Sequence, residues 1–100
     1  MTITETKSDE NVILQVAGRL DTTTAPQLES KLKECTKNAK ILALDLSNVE
    51  YISSAGLRVV LLAHKLMAGV GGKMSIAHPS DFCKQVFAAT GMDGVLSIID

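Results

Sequence analysis

The run ILALDLS at residues 41–47 constrains this chain more than any other segment. A nearly continuous apolar stretch of this kind fits a central strand buried on both faces, as in parallel sheets flanked by helices. Asp45 interrupts it, so its carboxylate must find hydrogen-bond partners or lie near the exposed end of the strand. The neighbouring segments must then supply the strands that pair with this one and the helices that cover it.

TITETK, residues 2–7, alternates Ile3 and other β-branched residues with polar ones, and the Ser8-Asp9-Glu10-Asn11 cluster predicts a turn. NVILQVAG follows as a second strand with Val12, Leu14 and Val16 on one face, ended by Gly18. The two strands predict an antiparallel hairpin. GRLDTTTAPQLESKLKECTKN then gives a loop and a helix: Thr24 and Gln27 have capping-box spacing, Pro26 falls in the first turn, and Leu28, Leu32 and Cys35 line one face. After the central strand, Asn48 to Ile52 leads into a long helix from about Ser54 to Ala68, terminated by Gly69, Gly71 and Gly72. KMSIAH is a further strand with Met74 and Ile76 alternating. Ser80 or Asp81 caps a last helix, with apolar positions Phe82, Val86, Phe87 and Ala89, that ends at Gly91, and VLSII closes as a short strand. The order β-β-α-β-α-β-α-β predicts an α/β domain over residues 1–100, a mixed, mostly parallel β-sheet with Ile41 to Leu46 central and helices packed on it.

Composition narrows the function classes. With 46% apolar residues, the 100-residue chain can bury a core of its own. The net charge is −1, lysines are dispersed, Arg19 and Arg58 are the two arginines, and aromatics make up 3%. A nucleic-acid surface needs clustered cations or stacking platforms, so no nucleic-acid partner is expected. Cys35 and Cys83 form no CxxC and fit buried thiols in a reducing compartment. MTITETKSDE has no apolar signal-peptide core, and the densest apolar run, Val59 to Met67, is broken by His64 and Lys65. A cytoplasmic location without membrane insertion is expected. No GxSxG, P-loop or paired metal-ligand spacing occurs, and His64 lies too far along its helix from Ser54 to act as its base. No catalytic residue, metal or cofactor is therefore expected, and the chain reads as a non-enzyme.

The stretch YISSAGLRVV, residues 51–60, sets two serines and a glycine at the mouth of the long helix. At about 100° per residue, Gly56, Val59, Val60, Ala63, Leu66, Met67 and Val70 cluster on a core face. Ser54, Arg58, Leu61 and Lys65 form one line along the outside, with Leu62 at its edge. That outer stripe fits an ordinary solvated face with a stray leucine, and equally a docking surface of apolar anchors flanked by cations. A serine at a helix N-terminus fits a cap, and a phosphate there is also tolerated by the free N–H groups and the helix dipole.

DLSNVEYISSAGLRVVLLAHKL resembles the central motif of STAS domains of the anti-sigma factor antagonist type. GRLDTTTAPQLESKL is similar to that family's G-x-L-D strand end and first helix, and FAATGMDGVLSI to its last helix, Thr-Gly turn and closing strand. The resemblance implies partner switching. The unphosphorylated antagonist binds an anti-sigma factor that is also an ATP-dependent serine kinase, phosphorylation separates the pair, and a metal-dependent serine phosphatase resets it. Matching the family's Asp-Ser-Ser/Thr-Gly-Leu places the phosphoacceptor at Ser54, with Ser53 at the aspartate position as the alternative acceptor and Ala55 at the second hydroxyl position. The implied partner surface joins Asp21, Thr22 and Thr23 to Ser53, Ser54 and Gly56. It continues along the helix through Arg58, Leu61, Leu62 and Lys65. The resemblance also admits a second role, an accessory or scaffold subunit of a transporter or other signalling complex with no phosphorylation cycle.

Overall fold

The computed structural model describes residues 1–100. Alternating burial builds the predicted hairpin: β1 (Thr2–Ser8) pairs antiparallel with β2 (Asn11–Leu20). Asp9 in the turn takes a left-handed φ of 54°, which aspartate tolerates. The chain continues through α1 (Ala25–Cys35), β3 (Ile41–Ile52), α2 (Ser54–Gly69), β4 (Lys73–Ala77) and α3 (Asp81–Thr90). A 3₁₀ turn (Met92–Gly94) and β5 (Ile98–Ile99) complete it. The sheet order is β1-β2-β3-β4-β5, with every pair after the hairpin parallel and β3 in the middle. Each parallel step moves in the same direction across the sheet, so right-handed crossovers set all three helices on one face.

Burial follows that geometry and corrects the expectation for the central strand. Leu42, Leu44 and Leu46 are fully buried, in register with Val12 and Leu14 on one side and with Met74 and Ile76 on the other. The opposite face carries Ile13 at 43% and Ile41 at 50% exposure. The first half of β3 is thus covered on one face; apolar Ile41 and Ala43 on the outer face disguise the alternation. Asp45 belongs to that outer face and has the partners it needs, accepting from the Ser47 backbone N–H at 3.0 Å and the Ser47 hydroxyl at 2.7 Å. Burial alone would raise its carboxyl pKa, but these bonds outweigh it and the pKa lies below the ordinary value.

Asn48 to Ile52 continues the strand. Two register shifts against β2, between Gln15 and Ala17 and between Gly18 and Arg19, let Val49 and Ile52 both turn inward although they are three residues apart. Gly18 does not end β2; it has a φ of 103° beside the second irregularity, where β3 has the extra residue Glu50, and the strand runs on to Leu20.

The helices match their predicted bounds closely and differ in detail. Leu28 and Leu32 of α1 are buried, whereas Cys35 is half-buried. The Thr24 capping box does not form: the Thr24 hydroxyl donates to the Arg19 carbonyl at 2.8 Å and caps no α1 amide. On α2, Val59, Val60, Ala63 and Met67 are buried and Leu66 is half-buried. Val70 is the C-cap and solvent-exposed, because the helix has already ended. Ser80, not Asp81, caps α3, accepting from the Cys83 N–H at 3.2 Å and donating to the Val49 carbonyl at 2.6 Å. That anchor sets the α3 phase so that Cys83 and Phe87 enter the core while Phe82 and Ala89 face outward. Only Ile98–Ile99 of the closing VLSII segment pair as a strand. No helix is long and apolar enough to cross a membrane.

The two phenylalanines of α3 are accordingly expected to behave differently. Phe87→Ala should lower unfolding free energy by about 3–5 kcal/mol through cavity formation. Phe82→Ala, which removes an exposed ring packed at a tilt against Tyr51, should cost about 0.5–1.5 kcal/mol. Urea unfolding of both variants measures the contrast.

Candidate functional site

The site is assembled where β2 and β3 end side by side. Leu20 pairs with Ile52, both buried, and the next residues in each chain are Asp21 and Ser53. The Ser53 N–H donates to the Leu20 carbonyl at 3.0 Å, extending the ladder by one bond. Ser53 is in extended conformation and is the N-cap of α2, its hydroxyl accepting from the Gly56 N–H at 3.4 Å. Ser54 is the first helical residue and is exposed. The first turn of α2 carries no acidic residue, so nothing on the helix offsets the positive end of its dipole.

Gly56 holds this helix start against the sheet. A Cβ there would lie 2.7 Å from the Leu20 carbonyl oxygen, 2.8 Å from Leu20 Cγ and 2.9 Å from Ile52 Cγ1. Gly56 is buried. It is therefore part of the packing beneath the site and offers no surface to a partner, contrary to its inclusion among the surface residues.

Asp21 organises the adjacent loop. Its Oδ1 accepts from the Thr23 N–H at 3.0 Å, the Thr23 hydroxyl at 2.7 Å and the Thr24 N–H at 3.2 Å. The Thr23 hydroxyl bond leads in holding the carboxyl pKa below its ordinary value; desolvation opposes it and the two backbone amides reinforce it. Asp21 thus remains a fixed negative charge next to the serine loop. Thr22 and Thr23 are exposed beside it.

Three residues absent from the sequence-based set extend the site. Arg19 and Tyr51 are cross-strand partners, and the Arg19 guanidinium carbon lies 4.2 Å from the Tyr51 ring centroid. The Phe82 ring packs against Tyr51 at a 44° tilt with centroids 5.3 Å apart, and Arg19 Nε is 3.8 Å from Asp21 Oδ2. The signal existed only in the strand register, which the extra β3 residues between Asp45 and Asn48 and between Val49 and Tyr51 displace.

Arg58 and Lys65 are exposed as expected, but Leu61 and Leu62 are half-buried because α1 lies alongside α2. Between the helices is a groove of about 310 Å³ with Val59, Leu61 and Leu62 as its apolar lining. Arg58 and Lys65 rim it from α2, Lys33 and Glu29 from α1. His64 is half-buried on α2 and forms no hydrogen bond to either serine. No three His, Cys, Asp or Glu side chains converge in a way that could hold a metal ion.

Comparison with known proteins adds one family match, two relatives and one solved structure. The family model described as "Mlab, STAS domain" matches residues 3–99. A Bordetella bronchiseptica protein named as the anti-sigma factor antagonist BtrV is 33% identical over 99 residues, covering 98% of this chain and 85% of its own. The anti-sigma-B factor antagonist of Bacillus subtilis is 30% identical over 95 residues, covering 94% and 87%. Among solved structures, the Bacillus cell fate determinant SpoIIAA in its phosphorylated form shares the fold with a TM-score of 0.78 at 18% identity, covering 99% of this chain and 92% of that one.

Two measurements check this geometry. Gly56→Ala should destabilise the protein by about 1–3 kcal/mol, since the added methyl meets strand backbone as well as side chains. Thr23→Ala should raise the Asp21 pKa toward the ordinary aspartate value, read by NMR titration of the carboxyl carbon. A carboxylate with a depressed folded pKa contributes stability that is present above the unfolded value, about 3.9, and is lost as pH falls through the folded value. Thr23→Ala should therefore shrink the acid-side loss assigned to Asp21 and shift it to higher pH.

Proposed function

The chain belongs to the STAS domain family of anti-sigma factor antagonists, and from that premise we propose that it is a cytoplasmic partner-switching phosphoprotein with Ser54 as the phosphoacceptor. Unphosphorylated, it binds an anti-sigma factor that is also a serine kinase. That kinase transfers the γ-phosphoryl group of ATP to the Ser54 hydroxyl, with ADP and a proton released, and the pair separates. A metal-dependent serine phosphatase hydrolyses the phosphoserine and restores the binding form. The observation that carries this reading is the setting of Ser54: an exposed hydroxyl on the first residue of a helix whose positive end meets no acidic side chain of its own first turn. The phosphorylated form of SpoIIAA, which shares the fold, supports it.

Ser53 is the less suitable acceptor, because its hydroxyl caps the helix through Gly56 N–H and its backbone N–H is tied to Leu20. A phosphate on Ser54 brings a charge of about −1.5 to −2 to the head of the outer stripe. The helix dipole favours that charge locally, so the domain stays folded. The surface changes instead: an anion now stands beside Asp21 and above Arg58, and a partner must either desolvate it or meet it with like charge. An effect of a few kcal/mol is sufficient, since each ~1.4 kcal/mol is tenfold in affinity.

Incubation with each candidate anti-sigma serine kinase and ATP, followed by phosphopeptide mapping, tests the assignment, and phosphate on Ser53 would refute it. Calorimetry with the kinase so found should show Ser54→Asp binding about a hundredfold more weakly than wild type with unchanged thermal unfolding. Ser54→Ala should bind and not be released by ATP. Leu61→Ala should weaken binding while costing about 1 kcal/mol of stability, well below the value for a fully buried leucine. Purification with a membrane complex and no phosphorylation by any such kinase would favour the transporter-subunit role.

A further inference from the structure

We propose that the groove between α1 and α2 receives an acidic amphipathic helix of the partner, its apolar ridge on Leu61 and Leu62 and its carboxylates on Arg58 and Lys65. The inference rests on the docking reading above and names the partner chemistry that the surface selects. Three features lead to it. First, the groove is apolar inside, with Val59 at its base beside the two half-buried leucines, so an occupant gains from burying an apolar ridge there. Second, its rim is unbalanced in charge. Of three cations and one acid, Lys33 and Glu29 pair with each other at 2.9 Å, which leaves Arg58 and Lys65 with no ion-pair partner in the protein. Both lie on α2, one at each end of the two leucines, and the complement to that spacing is an apolar stripe flanked by carboxylates.

Third, the walls decide the backbone form of the occupant. The middle turns of α1 and α2 satisfy their own N–H and C=O groups within the helices, so the groove offers side chains and no free ladder edge. An extended segment would find no backbone partners there, whereas a helix brings its own.

The same arrangement connects the groove to the serine. Ser54 and Arg58 are four residues apart on the exposed side of α2, and residues at that spacing are neighbours on a helix surface. A phosphate on Ser54 is then an intramolecular anion within reach of the cation that a partner carboxylate needs. Modification at the head of the helix thereby closes the upper end of the groove to an acidic ligand.

The test uses the isotope-labelled full chain and two synthetic helical peptides. One carries leucines along a single stripe flanked by glutamates; the other is its isomer with lysines in place of the glutamates. The acidic peptide should shift amide resonances of residues 29–33 and 58–65 saturably, with affinity falling about tenfold or more in the Arg58→Glu, Lys65→Glu double variant and falling with added salt. The lysine peptide should bind the double variant better than the wild type. Equal binding of both peptides to the wild type, shifts confined to the open face of the sheet, or no saturable shift would overturn the proposal. Because the peptides need neither kinase nor ATP, the groove can stand if Ser54 proves unmodified. Conversely, a chain phosphorylated on Ser54 that ignores the acidic peptide retains the switch and loses the groove.

Discussion

The close approach of α2 to the paired ends of β2 and β3 governs the rest of the site. Parallel pairing of Leu20 with Ile52 brings two loops, which are far apart in sequence, to adjoining positions. Gly56 then allows the helix to start directly above them, at a separation no larger residue permits. Once that contact is made, the directions of the remaining parts follow. Ser53 must cap, Ser54 must face outward, and the Asp21 loop must lie beside both. Within the site, Gly56 is held by packing, Ser53 by its bond to the Leu20 carbonyl and Asp21 by its threonines, while Ser54 is exposed.

The α2 helix separates two tasks by angle. Val59, Val60, Ala63 and Met67 hold it to the sheet, while Ser54, Arg58 and Lys65 lie outside and take no part in the core. Charge can therefore be added on the outer line without disturbing the packing on the inner one. The intermediate position belongs to Leu61 and Leu62, which are half-covered by α1. They belong fully to neither face, so a partner can complete their burial at little expense to the folded chain.

Much of this was legible in the sequence. Helical periodicity placed Gly56, Val59, Val60, Ala63 and Met67 inward and Ser54, Arg58 and Lys65 outward, and the expected start near Ser54 agrees with α2; Val70, expected in the core, is exposed, and Leu61, expected on the outer line, is half-buried. What stayed hidden had specific physical causes. Ile41 and Ala43 masked the alternation of β3 because an open sheet face tolerates apolar side chains. Two bulges in the β2–β3 register moved Val49 and Ile52 out of simple alternation, and with them the Arg19–Tyr51–Phe82 ladder. The α3 phase was misjudged because Phe82 is more hydrophobic than Cys83, yet the Ser80 anchor to Val49 points the cysteine inward. The α1 contribution to the groove was invisible because helix-to-helix contact depends on crossover geometry, which no local pattern contains.

The electrostatics of the serine loop follow from Asp21 and from the residue at position 53. Asp21 Oδ1 accepts from Thr23 and Thr24 while Oδ2 lies 3.8 Å from Arg19 Nε, and the carboxyl pKa lies below its ordinary value. With serine at position 53, the cap is neutral and the helix start carries no acid. Around Ser54 the charges are the Asp21 carboxylate with Arg19 beside it, the Arg58 guanidinium one turn along the helix, and the amides of the first turn. An aspartate at position 53 would cancel much of the field of those amides before any modification occurred. In the switch proposed above, a phosphate on Ser54 would be the first negative charge that the helix start itself receives.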